Sequence, residues 1–310
     1  MTAADNAAKP HVVWAFTDNK PGHQNQTQGL LKALGVYMPI AVQWLPAPGP
    51  LAALRDLLLK RFPAGADFDA PDLLIGAGHG THLPMLAARR ARGGRAIVLM
   101  KPSLPLRCFD LCVIPEHDAS RGHNVLTTRG ALNPLIPAAR KNPDAGMILI
   151  GGPSPHFGWD DAAIAGQVET IVARAPEVLW LATTSRRTPA ATLARLRAVK
   201  MGNLQLAPVE ETRPGWLAGK LATATRAWVS EDSVSMVYES LTAHVATGLL
   251  RVPVRRAGRV TRGLEQLVGT GAVTTFDAWS AGTPLAPPRE RFNEAARVAH
   301  WIKSQWFPAG

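Results

Sequence analysis

The sequence predicts an α/β protein made of two Rossmann-like, doubly wound domains that face each other across a cleft. Three observations lead there. Short apolar, β-rich runs alternate with Ala/Leu-rich helical stretches, the pattern of parallel strands joined by crossover helices. At 310 residues the chain is long enough for two domains that each bury a core. Finally, the breaker-rich passage ALNPLIPAARKNPDAG, residues 131–146, runs directly into a new strand, MILIGG. That passage sets the expected boundary between residues 1–138 and 139–310.

In the first half, HVVWAFT reads as a strand and residues 26–34 as the helix after it. A strand over 36–45, a helix over 51–61, a short buried strand at 72–75 and a helix over 83–92 follow, then strands at 95–100 and 110–114. The second half starts again with a strand at 147–150, a helix over 160–174, a strand at 178–183 and a helix over 189–199. Strands at 204–207 and 227–229 precede a helix over 233–243. The stretch 289–306 has helical spacing, with Phe292, Ala296, Ala299 and Trp306 at apolar positions, and is expected to pack back across the junction.

Composition narrows the function classes. Hydrophobic residues make up 46% and charged residues 18%, which excludes a disordered or fibrous chain. The first ten residues, MTAADNAAKP, have no apolar core of signal-peptide length, and no run of about 18 apolar residues occurs. A cytoplasmic protein is expected, with a peripheral position at the inner face of a membrane as an extension. Two cysteines, Cys108 and Cys112, cannot make a tetrahedral metal site and read as reduced thiols. The net charge of +11 calls for a partner, but the basic residues come singly or in pairs, without interleaved aromatics. Nucleic acid is therefore not expected. The phosphates of a nucleotide sugar, or an anionic membrane surface carrying a lipid-linked acceptor, fit the charge better, and a merely basic surface stays open beside them.

Four constellations sit where strands hand over to helices, the ligand-binding end of doubly wound sheets. The first, TDNKPGHQNQTQGL, places Asp18, Lys20, His23, Asn25 and Gln26 in one polar loop; a simple turn and helix cap is the alternative. GAGHGTHLP offers glycines and a helix N-terminus, with His79 and His82 as a weak metal pair. LMKPSLP and VIPEHD put Lys101, Glu116, His117 and Asp118 just beyond strands. In the second half, Gly151 and Gly152 leave room for a phosphate against the backbone, and Ser185, Arg186 and Arg187 end a strand where guanidinium groups could grip a diphosphate, unless they are only a surface pair. Last, WVSEDSVSMVYESL reads as strand, loop and helix. Ser230 and Asp232 are natural caps there, Ser233 and Ser235 lie at the helix start, and Glu239 stands further along, placed to accept from ribose hydroxyls.

Together these segments resemble the family named after a plant mitochondrial-fission factor, whose bacterial members are assigned as glycosyltransferases. TDNKPGHQNQTQGL, THLPMLAARRARGGRAIVLMKPSLP, FDLCVIPEHD, GGPSPHFGW, TTSRRTP and VSEDSVSMVYESL carry the resemblance, from Thr17 to about Leu250. It implies a GT-B-like fold, with the nucleotide-sugar donor held mainly by the C-terminal domain and the acceptor by the N-terminal one. It also implies transfer without a bound metal or other cofactor, with Gly152, Arg186, Arg187, Ser233 and Ser235 on the diphosphate and Glu239 on the ribose. His23 or Asp18, with Glu116 behind them, would be the general base. A non-catalytic scaffold and a sugar-nucleotide epimerase are the alternatives. The chain departs from the family pattern at Ala243, His244, Val245, Ala246 and Thr247, where a small residue, Gly, Lys, Pro and Val are usual.

Overall fold

The computed structural model describes residues 9–213 and 215–308; residues 1–8, on which most of the reading of the N-terminal segment falls, lie outside that set. Two compact units result: one from Met1–Pro134 with Asn293–Gly310, the other from Leu135–Phe292.

In the first unit the chain runs through β1 (His11–Thr17), α1 (Pro21–Tyr37), β2 (Ile40–Pro46), α2 (Pro50–Leu58), β3 (Leu73–Ala77) and α3 (His82–Arg92). It continues through β4 (Arg95–Leu99), β5 (Leu111–Pro115) and β6 (Val125–Thr128). The strands form one parallel sheet in the order β2-β1-β3-β4-β5-β6. β3 and β5 are buried along their whole length, covered on both faces, which is why they read as unbroken apolar runs. One face packs Leu30, Leu34 and Val13, the other Trp14, Phe16 and Met85. α1 begins at Pro21, five residues before the expected start. Proline suits the first helical turn because its missing N–H would have no intrahelical acceptor there. Much of the polar loop read from the sequence is therefore helix, and Gln26 and Thr27 face inward.

The second unit contains β7 (Asn142–Leu149), α4 (Asp161–Arg174), β8 (Leu179–Thr183), α5 (Ala190–Ala198), β9 (Leu204–Ala207), α6 (Trp216–Thr223) and β10 (Ala224–Ser230). α7 (Val234–Thr242), β11 (Ala246–Leu250), α8 (Arg259–Gly269), β12 (Thr274–Thr275) and α9 (Phe276–Ser280) complete it. Its sheet is also parallel, ordered β12-β11-β10-β7-β8-β9. Two cross-strand pairs set its packing: Gly146 lies opposite Trp180 and Gly248 opposite Trp228. Each indole lies over a position where a Cβ would collide with the ring, so glycine is what lets these buried tryptophans lie against neighbouring strands.

β11 starts within the stretch that departs from the family pattern. Ala243 closes α7, and His244 takes a left-handed conformation at φ 56°. Lys141 donates to the carbonyls of Ala243 (2.7 Å) and Ala224 (2.9 Å), placing a cation at the C-terminal end of α7. Burial pulls the Lys141 pKa down.

The chain then returns to the first unit as α10 (Glu294–Trp306). Ala295, Val298, Ala299 and Ile302 join the core over α1. Glu294 pairs with Arg129, and Arg95 lies over the Trp306 ring at 4.7 Å.

Candidate functional site

In each sheet the chain reverses its winding direction once, between β1 and β3 in the first and between β7 and β10 in the second. A crevice opens at the carboxyl ends of the strands at such a point. TDNKPGHQNQTQGL and GAGHGTHLP fall there in the first sheet and the segments after β7 and β10 in the second, whereas LMKPSLP and VIPEHD lie off it, after β4 and β5.

In the second unit, Gly151 and Gly152 leave β7 beside the turn that follows β10. The Gly151 N–H donates to Ser230 Oγ (2.7 Å) and the Gly152 N–H to Asp232 Oδ2 (2.9 Å). Arg187 arrives from the end of β8. It donates to Asp232 Oδ2 (2.7 Å) and to the carbonyls of Gly152 (2.6 Å) and Pro153 (3.1 Å). A Cβ on Gly151 would strike the Asp232 carboxylate, and one on Gly152 the Arg187 backbone. Thr188 closes the arrangement with bonds to the carbonyls of Ile150 (3.1 Å) and Gly151 (2.5 Å). Five of the expected ligand contacts, Gly151, Gly152, Ser230, Asp232 and Arg187, are thus engaged with one another in a clamp across three strand ends. Ser185 supports it from behind, its Oγ accepting from the Arg187 N–H at 3.1 Å.

The remaining residues have no such engagement. Arg186 is exposed, with no side-chain partner among the described residues. Ser233 precedes α7 and is buried, yet no side chain caps the helix, so its first-turn amides stay open. Ser235 is exposed at that end. Glu239 is half-buried on the same helix; burial pushes its carboxyl pKa up to about 7. It too has no side-chain partner among the described residues. A desolvated carboxylate with no partner among the described residues, on a helix whose N-terminus is open, is the kind of group that marks a candidate ligand site.

Sequence reasoning missed one neighbour. The segment after β11 is tied to the loop after β7: Gly158 N–H donates to the Pro253 carbonyl (2.6 Å), and the amides of Arg255 (2.9 Å) and Arg256 (3.1 Å) donate to His156 O. Arg255 and Arg256 therefore stand at the same end of the sheet, exposed, just before α8. The signal was available, since Val260, Leu264 and Leu267 have helical spacing behind the arginine pair.

In the first unit, His23 on α1 turns its Nδ1 to the Asp18 carboxylate, at 3.0 Å and 2.9 Å from the two oxygens. Burial acts to raise the Asp18 pKa. The His23 hydrogen bond, the Lys20 amide and the nearby charges of His23 and Lys20 outweigh it and hold the pKa below the ordinary value. The His23 ring lies where a Gly78 Cβ would be, and Gly78 has φ 82°; glycine alone satisfies both demands. The dyad leaves His23 Nε2 free to take a proton, the geometry of a general base with an orienting carboxylate.

His82 is buried, bonded through Nδ1 to Ser103 Oγ (3.2 Å) and set edge-on to Phe109. Burial, with His79 and His23 nearby, lowers its pKa to about 4, so it is a neutral packing residue. Glu116 is exposed in the turn after β5, and Lys101 donates to Asp118 O at 3.2 Å. His117 has no described side chain. Among the described residues no cluster of three or more His, Cys, Asp or Glu is arranged to hold a metal. Both cysteines are free thiols, and burial pushes Cys112 up to about 12. No described helix is long and apolar enough to cross a membrane.

The family described as Mitochondrial fission ELM1 matches residues 21–306. A relative from Rickettsia prowazekii (strain Madrid E), an uncharacterised protein, is 27% identical over 117 residues, which are 34% of this chain and 32% of that one; the match thus spans about a third of the relative. Among solved structures, Acinetobacter baumannii MurG is similar at TM-score 0.55 and 15% identity, over 96% of this chain and 100% of that one. A Listeria monocytogenes protein provisionally described as UDP-N-acetylglucosamine 2-epimerase reaches 0.61 at 12% identity, over 97% and 98%. Neisseria meningitidis UDP-GlcNAc 2-epimerase, bound to UDP-GlcNAc, reaches 0.52 at 11%, over 96% and 100%. The two six-stranded parallel sheets therefore have a GT-B-like fold.

Proposed function

The chain belongs to the Mitochondrial fission ELM1 family, and on that premise we propose that it is a metal-independent GT-B-type glycosyltransferase with a nucleotide-diphosphate-sugar donor. The observation that carries this reading is Glu239: a half-buried carboxylate with its pKa raised to about 7 by burial and no side-chain partner among the described residues, on a helix whose N-terminus has no side-chain cap. In the proposed complex the carboxylate accepts from the ribose hydroxyls. The α7 amides, Ser235 and Arg186 take the diphosphate, and the clamp of Gly152, Arg187 and Asp232 fixes the loop that carries them. Departure of the nucleoside diphosphate is then favoured by fixed N–H dipoles and a guanidinium. His23, oriented by Asp18, removes the proton of the acceptor hydroxyl, for which a lipid-linked or envelope glycan is the candidate.

The test is protection against thermal unfolding by a panel of UDP- and GDP-sugars, which raises the melting temperature by mass action once ligand exceeds its Kd. Protection should be lost in Glu239→Ala and Arg186→Ala. A folded protein that no sugar nucleotide protects would overturn the reading. Because epimerases share the fold, the products of a protecting donor are then resolved by mass and stereochemistry: a 2-epimer without acceptor modification would assign epimerisation instead.

A further inference from the structure

We infer that α2 is a docking face for an anionic lipid surface. A surface helix ordinarily buries its apolar stripe, and α2 carries a second one outside. It turns Ala53, Asp56 and Leu57 inward, Leu57 against the core around Trp14 and Phe16, while Leu51 (83% exposed), Leu54 (43%) and Leu58 (67%) face solvent, followed by Leu59 (58%). Positions 51, 54 and 58 fall on one side of the helix, so the leucines make a continuous stripe. The inward side holds the helix in place: Leu57 packs on the core, buried Asp56 is paired with Arg55 (3.3 Å) and Arg61 (3.2 Å), and α2 packs on α3. The outer leucines are therefore a feature of the packed unit.

Charge selects the occupant. Arg55, Lys60 and Arg61 rim the stripe, and the only acid in α2 is the buried, paired Asp56. Apolar side chains that enter the acyl boundary beside cations that meet anionic headgroups are what an interfacial helix presents. A stable protein partner generally engages about 20–30 residues a side, far more than four leucines and their rim. The chain's net charge of +11 would draw it to the same surface.

Co-sedimentation of the full chain with unilamellar vesicles tests this. Binding is expected to vesicles of phosphatidylcholine doped with phosphatidylglycerol, to weaken on phosphatidylcholine alone, and to fall with added salt. Leu51→Gln with Leu58→Gln should cut partitioning onto the anionic vesicles by at least about tenfold while the melting temperature stays unchanged, since both side chains are mostly in water. Lys60→Asn, which suits the left-handed backbone there (φ 52°), should reduce binding to anionic vesicles only. Equal partitioning of wild type and the double variant, or no vesicle binding at all, overturns the proposal. So does a dimer in sedimentation velocity that the leucine substitutions abolish, which would assign the face to a second copy. The face belongs to the first unit, so a negative vesicle result leaves sugar-nucleotide protection by the second unit untouched, and the two readings fail separately.

Discussion

Arg186 and Arg187 are adjacent in sequence and identical in chemistry, yet only Arg187 is engaged by hydrogen bonds from its side chain among the described residues, and alanine at each should separate the two. Arg187 makes three hydrogen bonds, to Asp232 at 2.7 Å and to the carbonyls of Gly152 at 2.6 Å and Pro153 at 3.1 Å. Removing it leaves the Asp232 carboxylate, whose side chain is 0% exposed, with one amide donor and no cation. Breaking a fully buried ion pair costs about 3–5 kcal/mol. The Arg187 side chain is 42% exposed, so water can enter the vacated space, and about 2–3 kcal/mol is the better figure. For a unit of this size that is a fall of roughly 5–10 °C in melting temperature. Arg186→Ala should melt with the wild type and lose sugar-nucleotide protection. Calorimetry and tryptophan fluorescence, with Trp180 and Trp228 buried in the affected unit, read the stability; ligand-induced shifts read the binding. If Arg187→Ala melts with the wild type and loses only ligand binding, its guanidinium faces the donor and the clamp argument is wrong.

Three further outcomes are expected. Glu239 is raised from 4.5 to about 7, so below pH 4.5 both states hold the proton and no penalty exists; as pH rises to 7 the unfolded chain ionises first and stability falls. Glu239→Gln should remove that decline and be roughly 1–3 kcal/mol more stable than wild type at pH 8 in urea titrations, while donor affinity in the wild type should rise through pH 7 as the carboxylate ionises. Gly78→Ala puts a Cβ into the His23 ring at a positive φ; turnover should drop at least about tenfold, with about 1–2 kcal/mol of destabilisation, while donor protection persists. His244 occupies a left-handed position with its buried Nδ1 unpartnered, so His244→Asn should gain about 0.5–1 kcal/mol in the same titrations.

The strands that were legible are those covered on both faces. LLIGA and LCVIP need no periodicity to be recognised, because a parallel sheet leaves neither side to water. α1 is longer than the composition suggests because HQNQTQ has the make-up of a loop while Pro21 supplies the first turn of a helix. The clustering at strand ends followed from the α/β pattern, but which member of a cluster meets a ligand did not. Ser230 and Asp232 look like ordinary caps in sequence, and only register shows that they bond across the sheet to Gly151 and Gly152. The arginine pair after β11 is placed by register alone, since the backbone bonds that bring it beside the loop after β7 join segments about a hundred residues apart. α2 obeys the binary pattern only in part, since Ala53 and Leu57 turn inward while Leu51, Leu54 and Leu58 lie outside.

The return of α10 to the first unit has a consequence for how the protein is made. The core over α1 receives Ala295, Val298, Ala299 and Ile302 from the end of the chain, whereas the second unit is one unbroken segment, Leu135–Phe292. On the ribosome, the segment translated second is therefore the first that can close. The earlier segment must wait, with its α1 face uncovered, until α10 has left the exit tunnel, so the usual N-to-C order of domain completion is reversed. In that interval the uncovered face is a natural place for a chaperone to hold, and release from it would be timed by the emergence of α10.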